Sequence, residues 1–278
     1  MRKTLTQALL AAFCAILARG TSAAHVEGGG VMQIASRVSM WSGARTPTAK
    51  DYVQDGLVAM WDGIENAGWG THADTLSTWR DLTGNGYNMT VNSEATIGAN
   101  SVGGNNIWVA YYKNATIPFW SASVVGLLPD TGAQRFLFCG SPTAADGKFV
   151  YVHPNGSYGR IGLSQRNTQN VNYVAIPYPE GVMGRLAGIH VNYGKGSTFG
   201  ATDAYVNAIP QTLDTGSYPY NNAGSFFSVG TRLTNTGNPA SSFNYGGTVC
   251  NIRLYSRALT AEEIARNYNI DKLRFNLP

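Results

Sequence analysis

The sequence contains little cysteine and little charge, and its acidic residues are scattered. Three cysteines among 278 residues exclude a small fold held together by a disulfide framework. Charged residues make up 13% of the chain, too few for an extended charged surface. No two Asp or Glu residues are spaced two positions apart. This spacing excludes neighbouring carboxylates on one face of a single strand.

The first 24 residues have the pattern of a secretory signal peptide. Arg2 and Lys3 precede an apolar run over Ala8–Ala18, and small residues follow, with cleavage expected after Ala23 or Ala24. An ordinary first helix or a membrane anchor is the alternative, but the run is shorter than the ~20 residues that span a bilayer. We therefore expect an exported protein without a transmembrane segment, in the periplasm, at the cell surface or outside the cell.

Removal of this segment changes the charge and the cysteine count. The formal net charge of +4 falls to about +1, so nucleic acid is not an expected partner. Cys139 and Cys250 remain, both in apolar, strand-like surroundings. Export permits a disulfide between them, whereas buried thiols fit the same pattern. The spacing does not decide between these two states.

Residues 25–50 have the composition of a linker or N-terminal extension. Glycines 28–30 open the segment, and Thr46-Pro47-Thr48 lies near its end. The middle, Val31–Trp41, is more apolar than a tether requires. It is suited to packing on the domain or on a neighbouring molecule, and both remain open.

Residues 51–278 form one predicted all-β domain, because short apolar runs alternate with turns rich in Gly, Asn and Pro. The strand candidates are Gly56–Trp61, Phe136–Cys139, Phe149–Val152, Tyr158–Leu163, Asn172–Ile176, Leu186–Asn192, Ala204–Asn207, Phe226–Gly230 and Val249–Tyr255. We predict a two-sheet antiparallel jelly-roll sandwich with one short C-terminal helix.

The last strand and helix carry the sharpest local signals. In the strand Val249–Tyr255, alternation places Cys250, Ile252 and Leu254 on one face and Asn251, Arg253 and Tyr255 on the other. A helix start follows immediately. Thr260 is the expected N-cap, Glu263 completes a capping box, and Leu259 is placed to contact Ile264 as a hydrophobic staple.

These motifs resemble the laminin-G-like family of concanavalin A-like lectin and glucanase domains. The resemblance rests on the terminal segment Gly246–Asp271 and on Leu57-Val58-Ala59-Met60-Trp61, followed by Asp81-Leu82-Thr83-Gly84-Asn85-Gly86. Looser matches are Ala187–Tyr193 and Ala204–Asn207. Ala208 replaces the usual hairpin glycine, which predicts a turn that avoids positive φ. The resemblance implies a sandwich that binds or cleaves glycans.

Catalysis is not supported by the residues. Glucanases of this fold carry Glu-x-Asp-x-x-Glu on one strand, and this chain lacks that motif. Asp62 and Glu65 are the closest acidic pair near a tryptophan, and we expect them in a solvated loop. His72, His153 and His190 stand alone, and His190 fits a buried strand.

The resemblance leaves calcium open as a cofactor, because many domains of this fold hold it through loop carboxylates and carbonyls. Asp62, Asp74, Asp81 and Asn85 supply oxygens in the loops after the first strand. The alternative is that Asp81 and Asn85 only shape their turn through Asx hydrogen bonds.

Aromatic side chains on loops are the candidate sugar-binding residues. Trp69 stands between two glycines and is the leading candidate, although a core position also fits it. The remaining candidates are His72, Trp120, Tyr218, Tyr220 and Asn221. Trp61, Trp79 and Trp108 are expected inside the domain.

We therefore predict an exported, non-catalytic module that binds a glycan or a surface protein, as in adhesion. A glycan-cleaving hydrolase or lyase of the same fold is the alternative. A structural surface protein without a specific sugar is a further one.

Overall fold

The structure is a computed structural model that describes most of the chain from Arg45 onward. The described residues are 45–114, 117–129, 135–143, 146–153, 160–163, 175–193, 198–199, 201–213, 218–219, 227–231, 238–239 and 244–278. The predicted signal peptide and residues 25–44 lie outside this set. One compact unit covers Thr46–Pro278 and holds the sandwich.

The described residues form an antiparallel β-sandwich, as predicted. The first sheet contains, in spatial order, β15 (Ile209–Pro210), β14 (Ala201–Val206), β12 (Arg185–Tyr193), β7 (Ser121–Leu128), β18 (Tyr245–Tyr255), β5 (Ser101–Ile107) and β4 (Thr96–Gly98), with β1 (Leu57–Asp62) also paired to β18. The second sheet contains β11 (Ala175–Pro177), β10 (Arg160–Gly162), β9 (Asp146–His153), β8 (Arg135–Thr143), β17 (Phe227–Val229), β6 (Ala110–Tyr112), β3 (Met89–Val91) and β2 (Thr78–Trp79). A separate pair joins β13 (Thr198–Phe199) to β16 (Tyr218–Pro219).

The core lies between the two large sheets. Trp61 and Trp79 are fully buried there, as expected, and Trp61 stacks on Phe227 with ring centroids 5.1 Å apart. Phe138 stacks on the other side of Phe227 at 5.5 Å. These aromatic contacts join β1 of the first sheet to β8 and β17 of the second, so apolar burial holds the sheets face to face.

Strand β18 is the centre of the first sheet, which explains why its sequence is so apolar. It pairs with β7 on one side and with β5 and then β1 on the other. Ile252 and Leu254 share one face, as predicted, and this face is turned to the core. Cys250 does not: it packs with Val125 and Phe275 on the opposite face. The pairing register with β7 shifts between Val249 and Asn251, and this irregularity reverses the alternation that the sequence predicted.

Cys139 and Cys250 are not joined by a disulfide. Cys139 lies on β8 of the second sheet, and Cys250 lies on β18 of the first. Both are buried, and burial raises the pKa of the Cys250 thiol to about 12. Cys250 therefore acts as a small buried apolar side chain between the first sheet and α1.

The terminal helix, α1 (Ala261–Phe275), begins as the sequence predicts. The Thr260 hydroxyl accepts a hydrogen bond from the Glu263 amide (3.3 Å), and the Glu263 carboxylate accepts one from the Thr260 amide (3.0 Å). Leu259 and Ile264 share one buried cluster with Tyr255, which confirms the staple. The helix packs on the face of the first sheet that is turned away from the core.

The hairpin between β14 and β15 corrects one prediction. Asn207 and Ala208 both have positive φ, 51° and 60°, although the absence of glycine argued against such a turn. The Asn207 side chain accepts a hydrogen bond from the Gly188 amide (3.0 Å), and the Ala208 methyl group packs against the cluster that contains Leu259. Tertiary contacts thus offset the ~1 kcal/mol or more that left-handed alanine costs.

In the described residues, no helix combines the length and apolar character needed to cross a membrane.

Candidate functional site

The loop that follows β1, residues 63–75, presents a tryptophan at its tip, and we call it the Trp69 loop. Gly68 and Gly70 adopt φ values of 129° and 66°, which glycine tolerates best. The Thr71 amide donates to the Gly68 carbonyl at 2.9 Å and closes the turn between them. The Trp69 ring stands outside the core and is 40% exposed.

Glu65 fixes this loop from beneath. One carboxylate oxygen accepts a hydrogen bond from the Gly70 amide (2.9 Å), and the other accepts from the Ala49 amide (2.9 Å) and from Arg274 (3.2 Å). Glu65 is buried, so these bonds are shielded from water. The tip beside Trp69 is therefore held in one conformation before any ligand arrives.

Asp62 continues the same network into the domain. Its Oδ1 accepts hydrogen bonds from the amides of Ile64 and Glu65 (2.9 Å each) and from Arg274 (2.8 Å). Its Oδ2 accepts one from Asn251 (2.7 Å). The expectation that Asp62 and Glu65 lie in a solvated loop is therefore wrong, because Arg274 offers them a buried ionic partner.

The pKa values of this acidic pair move in opposite directions. Burial raises the pKa of Asp62 above its usual value, partly offset by Arg274. Burial also acts on Glu65, but hydrogen bonds from the amides of Ala49 and Gly70, together with Arg274, outweigh it and lower the pKa of Glu65. Every oxygen of the two carboxylates already accepts a hydrogen bond from the protein. Such a pair stabilises the loop and is poorly placed to exchange protons with a substrate.

A second buried ion pair lies under the terminal helix. Arg253 donates two hydrogen bonds to Asp271, both at 2.7 Å, and the Tyr52 hydroxyl donates a third at 2.7 Å. The Arg253 guanidinium lies 4.0 Å from the centroid of the Tyr52 ring. We call Tyr52, Asp62, Arg253, Asp271 and Arg274 together the helix-side cluster. It clamps α1 onto the first sheet.

One cation lies near the exposed Trp69 ring, and further polar side chains follow it in the loop. The Lys50 Nζ lies 5.2 Å from its centroid, a cation–π distance. His72 contacts the Ile64 carbonyl through Nδ1 at 3.0 Å and Asp74 through Nε2 at 3.4 Å. The Asp74 side chain is 99% exposed. The loop therefore carries an exposed indole with a cation over its ring, and an imidazole and a carboxylate stand a few residues further along the same loop.

The structure does not bring the four calcium candidates together. Asp81 accepts hydrogen bonds from the amides of Met60, Thr83 and Tyr87, and the Asn85 side chain donates to the Val58 carbonyl at 2.8 Å. Both residues thus shape their turn, the alternative that the sequence left open. Among the residues described, no three His, Cys, Asp or Glu side chains form a group able to hold a metal ion.

The remaining sugar-binding candidates occupy other places. The Lys148 Nζ lies 4.2 Å from the centroid of the half-buried Trp120 ring and 4.7 Å from that of Phe119. Burial lowers the pKa of Lys148 to about 8. One face of Trp120 is thus covered by a lysine. Tyr218 lies in β16, whereas Tyr220 and Asn221 fall outside the described residues.

One aromatic pair was missed from the sequence. Trp108, expected inside the domain, is half-buried and makes an edge-to-face contact with Tyr111 at 5.3 Å between centroids. The alternation of side chains in β6 could have indicated this surface position. Ala110 and Tyr112 face the core, so Tyr111 between them faces away from it.

Comparisons with known proteins identify the fold. No protein-family model matches the chain, and no curated protein matches it in sequence. Trypanosoma rangeli sialidase in complex with sialic acid matches with a TM-score of 0.54 and 16% identity, over 82% of this chain and 34% of the sialidase chain. A mutant of that sialidase displaying trans-sialidase activity matches with a TM-score of 0.55 and 15% identity, over 86% and 36%.

Domain 4 of AbnA, a GH43 extracellular arabinanase from Geobacillus stearothermophilus in complex with arabinotriose, gives a TM-score of 0.47 and 15% identity, over 76% of this chain and 98% of that domain. The chain spans about a third of the length of the sialidases that it matches. At these identities the likeness to the sialidases shows a shared β-sandwich fold.

Proposed function

We propose that this protein is an exported, non-catalytic, laminin-G-like module that binds a glycan through the Trp69 loop. The observation that carries the proposal is the exposed Trp69 ring at a tip that the buried Glu65 carboxylate fixes. Exposure of an apolar indole face to water is unfavourable. A rigid loop that displays such a face is therefore suited to a ligand that has an apolar face of its own.

A sugar ring offers the matching chemistry. The C–H face of a pyranose stacks on an indole, while its hydroxyl groups form hydrogen bonds around the edge. Lys50, Thr71, His72 and Asp74 lie around Trp69 or beside it in the chain and supply donors and acceptors of this kind. Because the loop is already ordered, little conformational entropy is lost on binding.

The comparison with sialidases supports a carbohydrate as the ligand class. The matched Trypanosoma rangeli structure is a complex with sialic acid, and the matched region is a sandwich like this one. The terminal strand, the capping box and the Asp81 turn add the laminin-G-like motifs. Export rests on the signal-peptide pattern in residues 1–24.

Binding is favoured over cleavage by the state of the acidic residues. A glycosidase needs one carboxylic acid to donate a proton and a second carboxylate to act on the sugar or on water. Asp62 and Glu65 are instead bonded to Arg274 and to backbone amides. We infer that these acids support the loop and do not act on a substrate.

A glycan array probed with the purified protein, with calcium and with a chelator, tests the proposal. We expect binding to a restricted set of glycans, unchanged by the chelator and without release of sugar. Trp69→Ala should strongly weaken the signal without abolishing it. Leu273→Ala is the matched control, because Leu273 is also a large exposed apolar side chain, 60% exposed, but lies on α1.

Two results would contradict the proposal. Binding by Trp69→Ala at parental strength would show that the loop is not the site. Release of sugar that disappears in Asp62→Asn or Glu65→Gln, with the fold intact, would identify a hydrolase or lyase.

A further inference from the structure

A second aromatic surface lies on the outer face of the second sheet, apart from the Trp69 loop. We call it the Tyr111 platform and define it as Thr90, Trp108, Tyr111 and Lys113. Tyr111 pairs with Thr90 across β3 and β6, and its neighbours along the strand point into the core. Tyr111 therefore faces outward, half-buried, beside an exposed threonine.

A cation lies over one face of the Tyr111 ring, and the opposite face is the one considered for stacking. The Lys113 Nζ lies 5.7 Å from the centroid of the Tyr111 ring and 3.4 Å from the Asn238 side-chain oxygen, a neutral acceptor. Lys113 is exposed and makes no ion pair with any residue that the structure describes. Its charge is thus available to an incoming anion.

The backbone beneath the platform is fixed by hydrogen bonds to neighbouring segments. The Asn92 side chain donates to the Trp108 carbonyl at 2.9 Å, and the Val109 amide donates to the Val229 carbonyl at 3.0 Å. Along the row that crosses the sheet, Thr90 is exposed, Tyr111 is half-buried and Ser228 is fully buried. The platform is therefore open toward β3 and closed toward β17.

We propose that the Tyr111 platform is a second glycan subsite and that it takes a hexuronic acid residue. The idea rests on the proposed glycan-binding function. Directly paired side chains of neighbouring strands stand about 5 Å apart, close to the width of one pyranose ring. A ring stacked on Tyr111 thus reaches the Thr90 hydroxyl. Its carboxylate, fixed at the ring edge, comes within reach of Lys113.

Binding of a β-linked glucuronic acid oligosaccharide to the full chain tests this inference. We expect binding that weakens as salt is added, because the Lys113 contact is exposed and ionic. A β-linked glucose oligosaccharide of equal length should bind at least several-fold more weakly. Tyr111→Thr, which keeps a residue suited to a strand, should weaken binding of the glucuronic acid probe roughly 5- to 150-fold, by analogy with other aromatic stacking.

Lys113→Met should weaken the same probe several-fold and remove most of its salt dependence. The matched control is Lys272→Met, because the exposed Lys272 lies 5.8 Å from the centroid of the Tyr268 ring on α1. The control should bind like the parent. Far-UV circular dichroism of each variant should overlay that of the parent.

Several outcomes would overturn the inference. Equal binding of the neutral and acidic probes would remove the role of Lys113, and preference for a sialylated oligosaccharide over the glucuronic acid probe would contradict the hexuronic acid assignment. Parental binding by both Tyr111→Thr and Lys113→Met would remove the subsite. If Trp69→Ala alone abolished all glycan binding, the platform would be refuted while the proposed function stood. If no glycan bound at all, both would fail.

Discussion

The helix-side cluster and the Trp69 loop are joined by hydrogen bonds, yet they use polar groups in opposite ways. In the cluster, Arg253 and Asp271 are almost completely buried and bonded to each other. In the loop, Asp74 and the Trp69 indole are exposed, and the exposed Lys50 lies over that indole. Glu65, which belongs to the loop, connects the two regions because it accepts hydrogen bonds from both Gly70 and Arg274. The chain thus places its buried charge where it fixes structure and keeps its aromatic surface for contact.

Carboxylates near a tryptophan need not indicate an enzyme when a buried arginine is bonded to them. An unpaired buried acid costs several kcal/mol, so a buried carboxylate requires a partner. Arg274 is that partner for Asp62 and Glu65, and it arrives from the far end of the chain. The acidic pair is therefore explained by stability alone.

The largest effect should follow from breaking the buried pair in the cluster. We expect Arg253→Met to lower the free energy of unfolding by about 3 to 5 kcal/mol, because it leaves the Asp271 carboxylate buried without its partner. Urea denaturation measures this loss. The control is Arg257→Met, which removes a partly exposed pair with Glu263 and should cost about 1 kcal/mol or less. Equal losses in both variants would show that burial of the cluster contributes nothing.

The next effect concerns pH and the buried His190. Its Nδ1 contacts the Ser123 hydroxyl at 2.7 Å and its Nε2 contacts the Asn192 oxygen at 3.0 Å, while Arg253 adds a nearby positive charge. Burial lowers the pKa of His190 from 6.5 to about 4. Between these values the unfolded chain binds a proton that the folded chain does not.

Acidification from pH 6.5 to about 4 should therefore lower the free energy of unfolding, by up to about 3 kcal/mol from this group. Urea denaturation across this range measures the slope. His190→Gln should flatten it, and Leu273→Ala, which removes an exposed side chain without a titrating group, should not. If the two variants and the parent show the same slope, His190 does not carry the effect.

A smaller effect is expected at the start of α1. Thr260→Ala should cost about 1 kcal/mol, because the Glu263 amide loses its side-chain acceptor. Thermal unfolding of this variant beside Thr260→Ser, which keeps the hydroxyl, measures the cap alone. A serine variant as unstable as the alanine variant would contradict the assignment.

The sequence predicted those features that local patterns determine. The strand-and-turn pattern behind the predicted sandwich, the terminal strand, and the capping box with its staple all depend on residues within a few positions of each other, and the structure confirms them. Trp69 is exposed as its two glycines suggested.

Features set by distant contacts were predicted wrongly or missed. Asp62 and Glu65 were expected in solvent because Arg274 lies 212 and 209 residues away in the chain. The face of Cys250 was wrong because a register shift against a neighbouring strand is invisible in β18 alone. Ala208 adopts positive φ because its methyl group packs on a distant cluster.

The most direct test of the account measures affinity and stability together on Trp69→Ala. With the glycan that binds best on the array, calorimetric titration should show a loss of about 1 to 3 kcal/mol of binding free energy. Urea denaturation of the same protein should show the parental free energy of unfolding within about 0.5 kcal/mol, because Trp69 lies outside the core. Unchanged affinity with a loss of about 3 kcal/mol or more of stability would instead identify Trp69 as a structural residue and contradict the account.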